Sequence, residues 1–127
     1  MLNYILVAIG AACGGVFRYW VTNAVQKVSP VLFPFGTLFV NFIGSFLLGV
    51  IIFYLDAQEL ISPQTKLFLT IGFCGGLTTF STFSYETFAL LRDSEILLGL
   101  LNMLLNLFLS LLAVVSAFFI SKIISRG

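Results

Sequence analysis

Four long apolar stretches, at residues 2–25, 31–55, 66–91 and 95–124, take up nearly the whole chain. Each supplies the ~20 residues that a helix needs to cross the hydrocarbon of a bilayer. The connections between them are short, which favours antiparallel neighbours. The predicted fold class is therefore an all-α membrane protein, a single four-helix transmembrane domain over 1–127 with both termini on the same side. Polar residues follow a pattern within these stretches. The first carries Gly10, Gly14, Arg18 and Thr22 at four-residue intervals, the second Thr37, Asn41, Ser45 and Gly49, and the fourth Asn102, Asn106 and Ser110. Residues four apart share one face of a helix, so these three helices are each predicted to carry a line of polar or small side chains.

The third stretch departs from this pattern. Its sequence GFCGGLTTFSTFS over 72–84 puts two adjacent glycines and five hydroxyl side chains at membrane depth. No water is available there, so a helix interrupted at Gly75-Gly76 is tolerated only against protein or a water-filled cavity. Unwinding over 75–78 is expected to free backbone carbonyls, which attract cations, and in an antiparallel pair of chains the two breaks could meet on the symmetry axis. Phe80 and Phe83 share a helical face. Such a pair commonly meets lipid or packs, yet its ring edges carry partial positive charge and could face a dehydrated anion beside the hydroxyls of Ser81 and Thr82. Glu86 is the only acid well inside a span, and it reads either as a paired or interfacial group or as part of a polar route.

The other lines leave alternatives open at this stage. An arginine at Arg18 costs several kcal/mol at the bilayer centre unless paired or near the interface; it either snorkels or faces an aqueous vestibule and draws anions in. Asn41 would leave amide groups unsatisfied in lipid, so it either bonds a neighbouring helix or lines a pathway. Asparagine and serine do not titrate near neutral pH and offer N–H and O–H donors. Three such lines converging on one cavity suit a small anion better than a proton relay.

Composition narrows the class. The chain is 60% hydrophobic and 9% charged, with a mean hydropathy of +1.14, values that place it among integral membrane proteins. A net charge of +1 gives no ground for a nucleic-acid or acidic partner. Cys13 and Cys74 fall in different spans and read as small packing residues, not as a metal or redox pair. The first stretch lacks a basic leader and contains Arg18, so it is expected to be retained and not cleaved as a signal peptide. Lys66, Lys122 and Arg126 fall on one side, and Lys27, Arg92 and, if it snorkels, Arg18 on the other. That balance barely orients the chain. One reading is weak orientation by a few charges. The other is insertion in both directions with assembly of an antiparallel, dual-topology homodimer, which would enclose polar volume that four thin helices cannot.

Residues 10–18 (GAACGGVFR), 36–44 (GTLFVNFIG) and above all 72–83 (GFCGGLTTFSTF) resemble the Fluc/CrcB family of fluoride channels, and the resemblance extends over all four spans. It implies a dual-topology homodimer in a bacterial inner membrane that exports cytoplasmic fluoride passively through two pores. It further implies a structural Na+ held by the backbone carbonyls of Gly75 and Thr78, with Asn41, Phe80, Ser81, Thr82, Phe83 and Glu86 along the fluoride pore and Arg18 in the vestibule. The family's fourth-helix polar track falls on Asn102, Asn106 and Ser110. The alternative is a dual-topology, small multidrug-type proton-coupled exporter. Such a carrier calls for a titratable acid at the centre of its cavity, and Glu86 near a span end is the one residue offered. An assembly subunit without transport would account for the small-residue contacts but not for three polar lines and a broken helix. No arrangement of nucleophile, base or metal ligands suggests an enzyme.

Overall fold

In a computed structural model that describes all of residues 1–127, the chain is helical throughout, without strands. Helix α1 is Leu2–Val28. Helix α2 is Phe35–Asp56, whose last turn and a half, Ile51–Asp56, widens to π geometry. The third span, Pro63–Arg92, comprises α3, which runs through Pro63–Leu67, a π-helical Phe68–Cys74 and Gly75–Leu77, and α4, Phe80–Arg92. Helix α5 is Ile96–Arg126. At 31 residues it is about 46 Å long, more than the hydrocarbon requires.

The predicted spans are all present, and local chemistry explains where their ends differ. Pro30 and Pro34 delay α2, whose helix starts after Pro34 at its N-cap position. Gln26 reaches forward from α1 to donate to the Val31 carbonyl at 3.0 Å, holding that loop. The third span starts before the predicted Lys66 because Ser62 caps it, its hydroxyl accepting from the Thr65 N–H at 3.1 Å with Pro63 at the first helical position. A 2.7 Å ion pair between Lys66 and Asp56 closes the α2–α3 connection. The α4–α5 turn needs only Asp93 to Glu95, with Ser94 at φ 64°.

Large apolar side chains do not hold this bundle together. The buried cluster is small, formed by Val21, Val40 and Leu77, while Tyr4, Trp20, Phe80 and Ile123 stand more than 60% exposed. In lipid this is expected, since acyl chains are as apolar as leucine and association depends on close packing of small residues. The clearest case joins α1 to α3. Gly10 faces Gly72, Gly14 lies against the backbone of Phe73 and Leu77, and Gly76 against that of Ala11 and Gly15. A methyl on Gly10 would lie 2.5 Å from the Phe68 carbonyl oxygen, and one on Gly72 would lie 2.9 Å from the Gly10 Cα. Gly76 would collide with the Ala11 carbonyl. The obstacles are backbone atoms, which cannot swing aside.

Here the glycine reading of the sequence is corrected. Gly75 and Gly76 do not unwind the third span; both are helical. The extended residues are the next two after Leu77, Thr78 (φ −86°, ψ 158°) and Thr79 (φ −151°, ψ 121°). Gly76 is present because α1 lies too close for a side chain, and that packing requirement looks the same as a helix breaker in one dimension.

Gly10→Val should lower the thermal unfolding midpoint in detergent by the equivalent of about 1–3 kcal/mol or more, as forced overpacking does. Gly15→Ala should leave it nearly unchanged, because nothing lies within 4 Å of the added methyl. Equal midpoints for the two variants would disprove the backbone contact.

Candidate functional site

The extended pair Thr78–Thr79 strands backbone groups that a continuous helix would have paired. Asn41 on α2 takes up both polar groups of Thr79. Its Oδ1 accepts from the Thr79 N–H at 2.8 Å, and its Nδ2 donates to the Thr79 carbonyl at 3.2 Å. The side-chain amide thus pairs with a single residue much as a neighbouring strand would. The Thr79 hydroxyl, in turn, accepts from the Thr82 N–H at 3.1 Å and caps α4. On the other side of the break, Arg18 of α1 donates from Nε to the Gly76 carbonyl at 3.0 Å.

From Asn41 a chain of hydrogen bonds runs into α5 and back to α4. Asn41 Nδ2 donates to Asn106 Oδ1 at 2.9 Å. Asn106 Nδ2 donates to both the carbonyl and the Oδ1 of Asn102, each at 2.9 Å. Asn102 Nδ2 donates to the Thr87 hydroxyl at 2.9 Å, and that hydroxyl donates to the Phe83 carbonyl at 2.8 Å. Asn102 is 0% exposed and Asn106 5%. An amide nitrogen has two protons, so Asn41 and Asn106 have spent both of theirs on the protein. Only Asn102 keeps a spare N–H, in a position closed to solvent.

Beside this chain lies an open, mainly apolar groove of about 660 Å³. Asn41 and Ser45 of α2, Thr70, Cys74 and Gly75 of α3, Thr78 and Thr79 of the break, Phe80 and Phe83 of α4, and Asn106 and Ser110 of α5 all contribute to its wall. The Phe80 and Phe83 rings sit 5.4 Å apart at 57°. Phe80 is 79% exposed, so it stands at the rim.

The groove therefore gathers Asn41, Gly75, Thr78, Phe80, Phe83, Asn106 and Ser110 from the sequence-predicted set. The remaining candidates lie elsewhere. Asn102 is behind the wall. Ser81 is exposed and Thr82 half-buried at the start of α4, where the Ser81 hydroxyl shares a 3.3 Å contact with that of Thr79. Glu86 is held by Thr37 of α2, its Oε1 accepting from the Thr37 hydroxyl at 2.7 Å, while its Oε2 is buried without a hydrogen bond. Arg18 sits on the α1 side of the break. Three contributors were missed at the sequence level: Thr79, Thr87 and Thr37. Thr37 stood in the α2 polar line without an assigned partner. Thr79 and Thr87 had no helical-line signal, because their roles come from the break and from facing α5.

These features define a class: a helical membrane protein of four spans with an interrupted polar wall. More particularly, the chain belongs to the CrcB family. Residues 5–118 match the family described as "CrcB-like protein, Camphor Resistance (CrcB)". It is similar to proteins named "Fluoride-specific ion channel FluC": one from Geotalea daltonii, 46% identical over 87% of this chain and 90% of that protein. Others come from Shewanella sp. strain W3-18-1, at 48% identity over 90% and 91%, and from Shewanella baltica strain OS185, at 49% identity over the same shares. Together with the four membrane-length helices, this makes it a multi-pass membrane protein of a family whose named relatives are ion channels and not enzymes.

Thr87→Val preserves shape but leaves the buried Asn102 amide without its acceptor. It should cost about 1–3 kcal/mol in chemical unfolding in mixed micelles, the penalty of an unsatisfied buried donor. Ser84→Ala, which removes an exposed hydroxyl bonded to the Phe80 carbonyl, should stay within about 0.5 kcal/mol. A Thr87→Val variant as stable as the parent would show that the amide chain is dispensable.

Proposed function

We propose that this chain is a fluoride-selective channel that exports cytoplasmic fluoride passively across a bacterial inner membrane, as a dual-topology homodimer with two pores. The observation that carries the reading is the groove, which collects Asn41, Phe80, Phe83, Asn106 and Ser110 on one open face beside the extended Thr78–Thr79. Polar atoms on an open face are costly against acyl chains. A second copy covering that face would turn the groove into a closed passage. The names of the similar proteins from Geotalea and Shewanella support the choice of ion.

Fluoride is small and strongly hydrated, so a pore must offer close donors in place of water, and a narrow one also excludes chloride. With the amide protons of Asn41 and Asn106 committed to the wall, the freer donors along the route are the Ser110 hydroxyl, the hydroxyls of Ser81 and Thr82, and the ring edges of Phe80 and Phe83. An ion draws on Asn41 or Asn106 only by exchanging one of their existing bonds. Asn102 and the Thr37–Glu86 pair hold the continuation of the polar wall. Arg18 lies at the end of α3, bonded to the Gly76 carbonyl. Flow needs no energy source beyond the ion gradient and a membrane potential worth ~2.3 kcal/mol per charge per 100 mV.

A structural Na+ fits the oxygen donors present. No backbone donor reaches the Thr78 carbonyl, and the N–H that would have served Gly75 in a continuous helix, that of Thr79, is taken by Asn41. The Gly75 and Thr78 carbonyls would hold the ion, and two oxygens per chain require a second copy to complete the set. Such an ion would satisfy carbonyl lone pairs that the break leaves without donors.

The second reading, a proton-coupled exporter, is favoured by one observation, the buried and unbonded Oε2 of Glu86. Efflux from liposomes separates the two. Purified protein should release fluoride under a potassium gradient clamped with valinomycin and retain chloride, without requiring a pH gradient. Phe80→Ile and Phe83→Ile should each slow fluoride by about tenfold or more through loss of the ring edges. Comparable chloride release, transport strictly coupled to a proton gradient, or undiminished flux in both variants would each contradict the channel reading.

Orientation is testable separately. Single cysteines placed in the loop over 57–61, on a background lacking Cys13 and Cys74, should label from both sides of sealed vesicles in comparable amounts. Labelling from one side only, with full activity, would rule out dual topology.

A further inference from the structure

We propose that Arg18 is a positioning residue. By donating its Nε–H to the Gly76 carbonyl, it closes the end of α3 and fixes the extended pair from which α4 starts. The bond spans 58 residues of sequence at 3.0 Å and is partly buried. It uses the nitrogen nearest the aliphatic stem, so the side chain is tethered low on α3. The reach depends on the α1–α3 contact: Gly14 lies against the backbone of Phe73 and Leu77, and the place of a Gly76 methyl is filled by Ala11 and Gly15. A helix end leaves carbonyls without partners, and a cation there also favours the negative end of the helix dipole. Arg18 from α1 and Asn41 from α2 thus grip the break from its two sides, one at Gly76 and the other at Thr79. Thr79 is the cap of α4, so the placement of Phe80 follows from that grip. A cation that only attracts anions into a vestibule would need charge but not this donor.

The flux part of the test rests on the fluoride-channel reading; the exchange part does not. Glutamine places an amide nitrogen the same number of bonds from Cα as the arginine Nε, and so keeps the donor while losing the charge. Lysine does the reverse, with charge but no nitrogen at that place. Full-length wild type, Arg18→Gln, Arg18→Lys and Arg18→Met would be compared for fluoride efflux from liposomes and for amide hydrogen exchange over residues 75–82. Arg18→Gln should keep efflux within about threefold of wild type and retain wild-type protection at the break, whereas Arg18→Met should exchange about tenfold faster or more. Efflux retained in Arg18→Lys but lost in Arg18→Gln would overturn the proposal in favour of charge. So would wild-type protection in Arg18→Met, or faster exchange in Arg18→Gln. If Arg18→Met does not fold, the protection of Arg18→Gln decides by the same criterion. If wild type releases no fluoride, the channel reading fails and the exchange comparison still decides the role of Arg18.

Discussion

A backbone that leaves the helix at membrane depth must find its hydrogen bonds in the protein, because lipid offers none. The rest of this fold is arranged around that constraint at Thr78 and Thr79. Asn41 satisfies both groups of Thr79, the Thr79 hydroxyl caps α4, and Arg18 takes the Gly76 carbonyl. An unmet backbone group there costs several kcal/mol, more than the ~1 kcal/mol that a typical hydrogen bond nets in water. Packing is subordinate to the same need. The paired glycines of α1 and α3 bring the two helices close enough for an arginine stem to reach the break, so a steric feature and a polar one form one device.

The same solvent argument decides which exposed surfaces carry meaning. In water, a rim phenylalanine 79% exposed would mark an interface. In a bilayer it carries no such message, because lipid replaces one apolar neighbour with another. The anomaly runs the other way. Asn41, Ser45, Thr70 and Ser110 share the wall of an open groove, and a hydroxyl or amide facing acyl chains is what the environment penalises. A second copy or a column of water relieves that penalty, and the proposed dimer supplies both.

Periodicity read the spans correctly because length and hydropathy alone specify a crossing helix, but the expected convergence of three polar lines fails: the α1 line packs against α3, and only residues of the α2 and α5 lines reach the groove. The roles within those lines were less legible. Asn41 left glue and pathway undecided, and the geometry makes it glue for Thr79 and Asn106 first. Whether an amide proton is free depends on which neighbour accepts it, which one sequence does not encode. Gly75-Gly76 misled for a related reason: glycine serves equally for unwinding and for close approach, and only the position of α1 tells them apart. Thr79 was counted only as one of five hydroxyls and Thr87 was passed over, because the role of each depends on a facing helix that one sequence does not show.

A wall whose amide protons are already spent has a consequence for selectivity in the proposed channel. If Asn41 and Asn106 were free to turn toward any anion, the passage would adapt to larger halides as well as to fluoride. Tied head to tail through Asn102 to Thr87 and the Phe83 carbonyl, they hold a fixed outline instead. Dehydrating an ion then has to be offset by donors at set distances, mainly hydroxyls and ring edges, and only an ion small enough to approach them closely recovers what it lost from water. In that view, the saturated asparagine chain contributes to discrimination by its rigidity, and it does so from behind the surface that the ion touches.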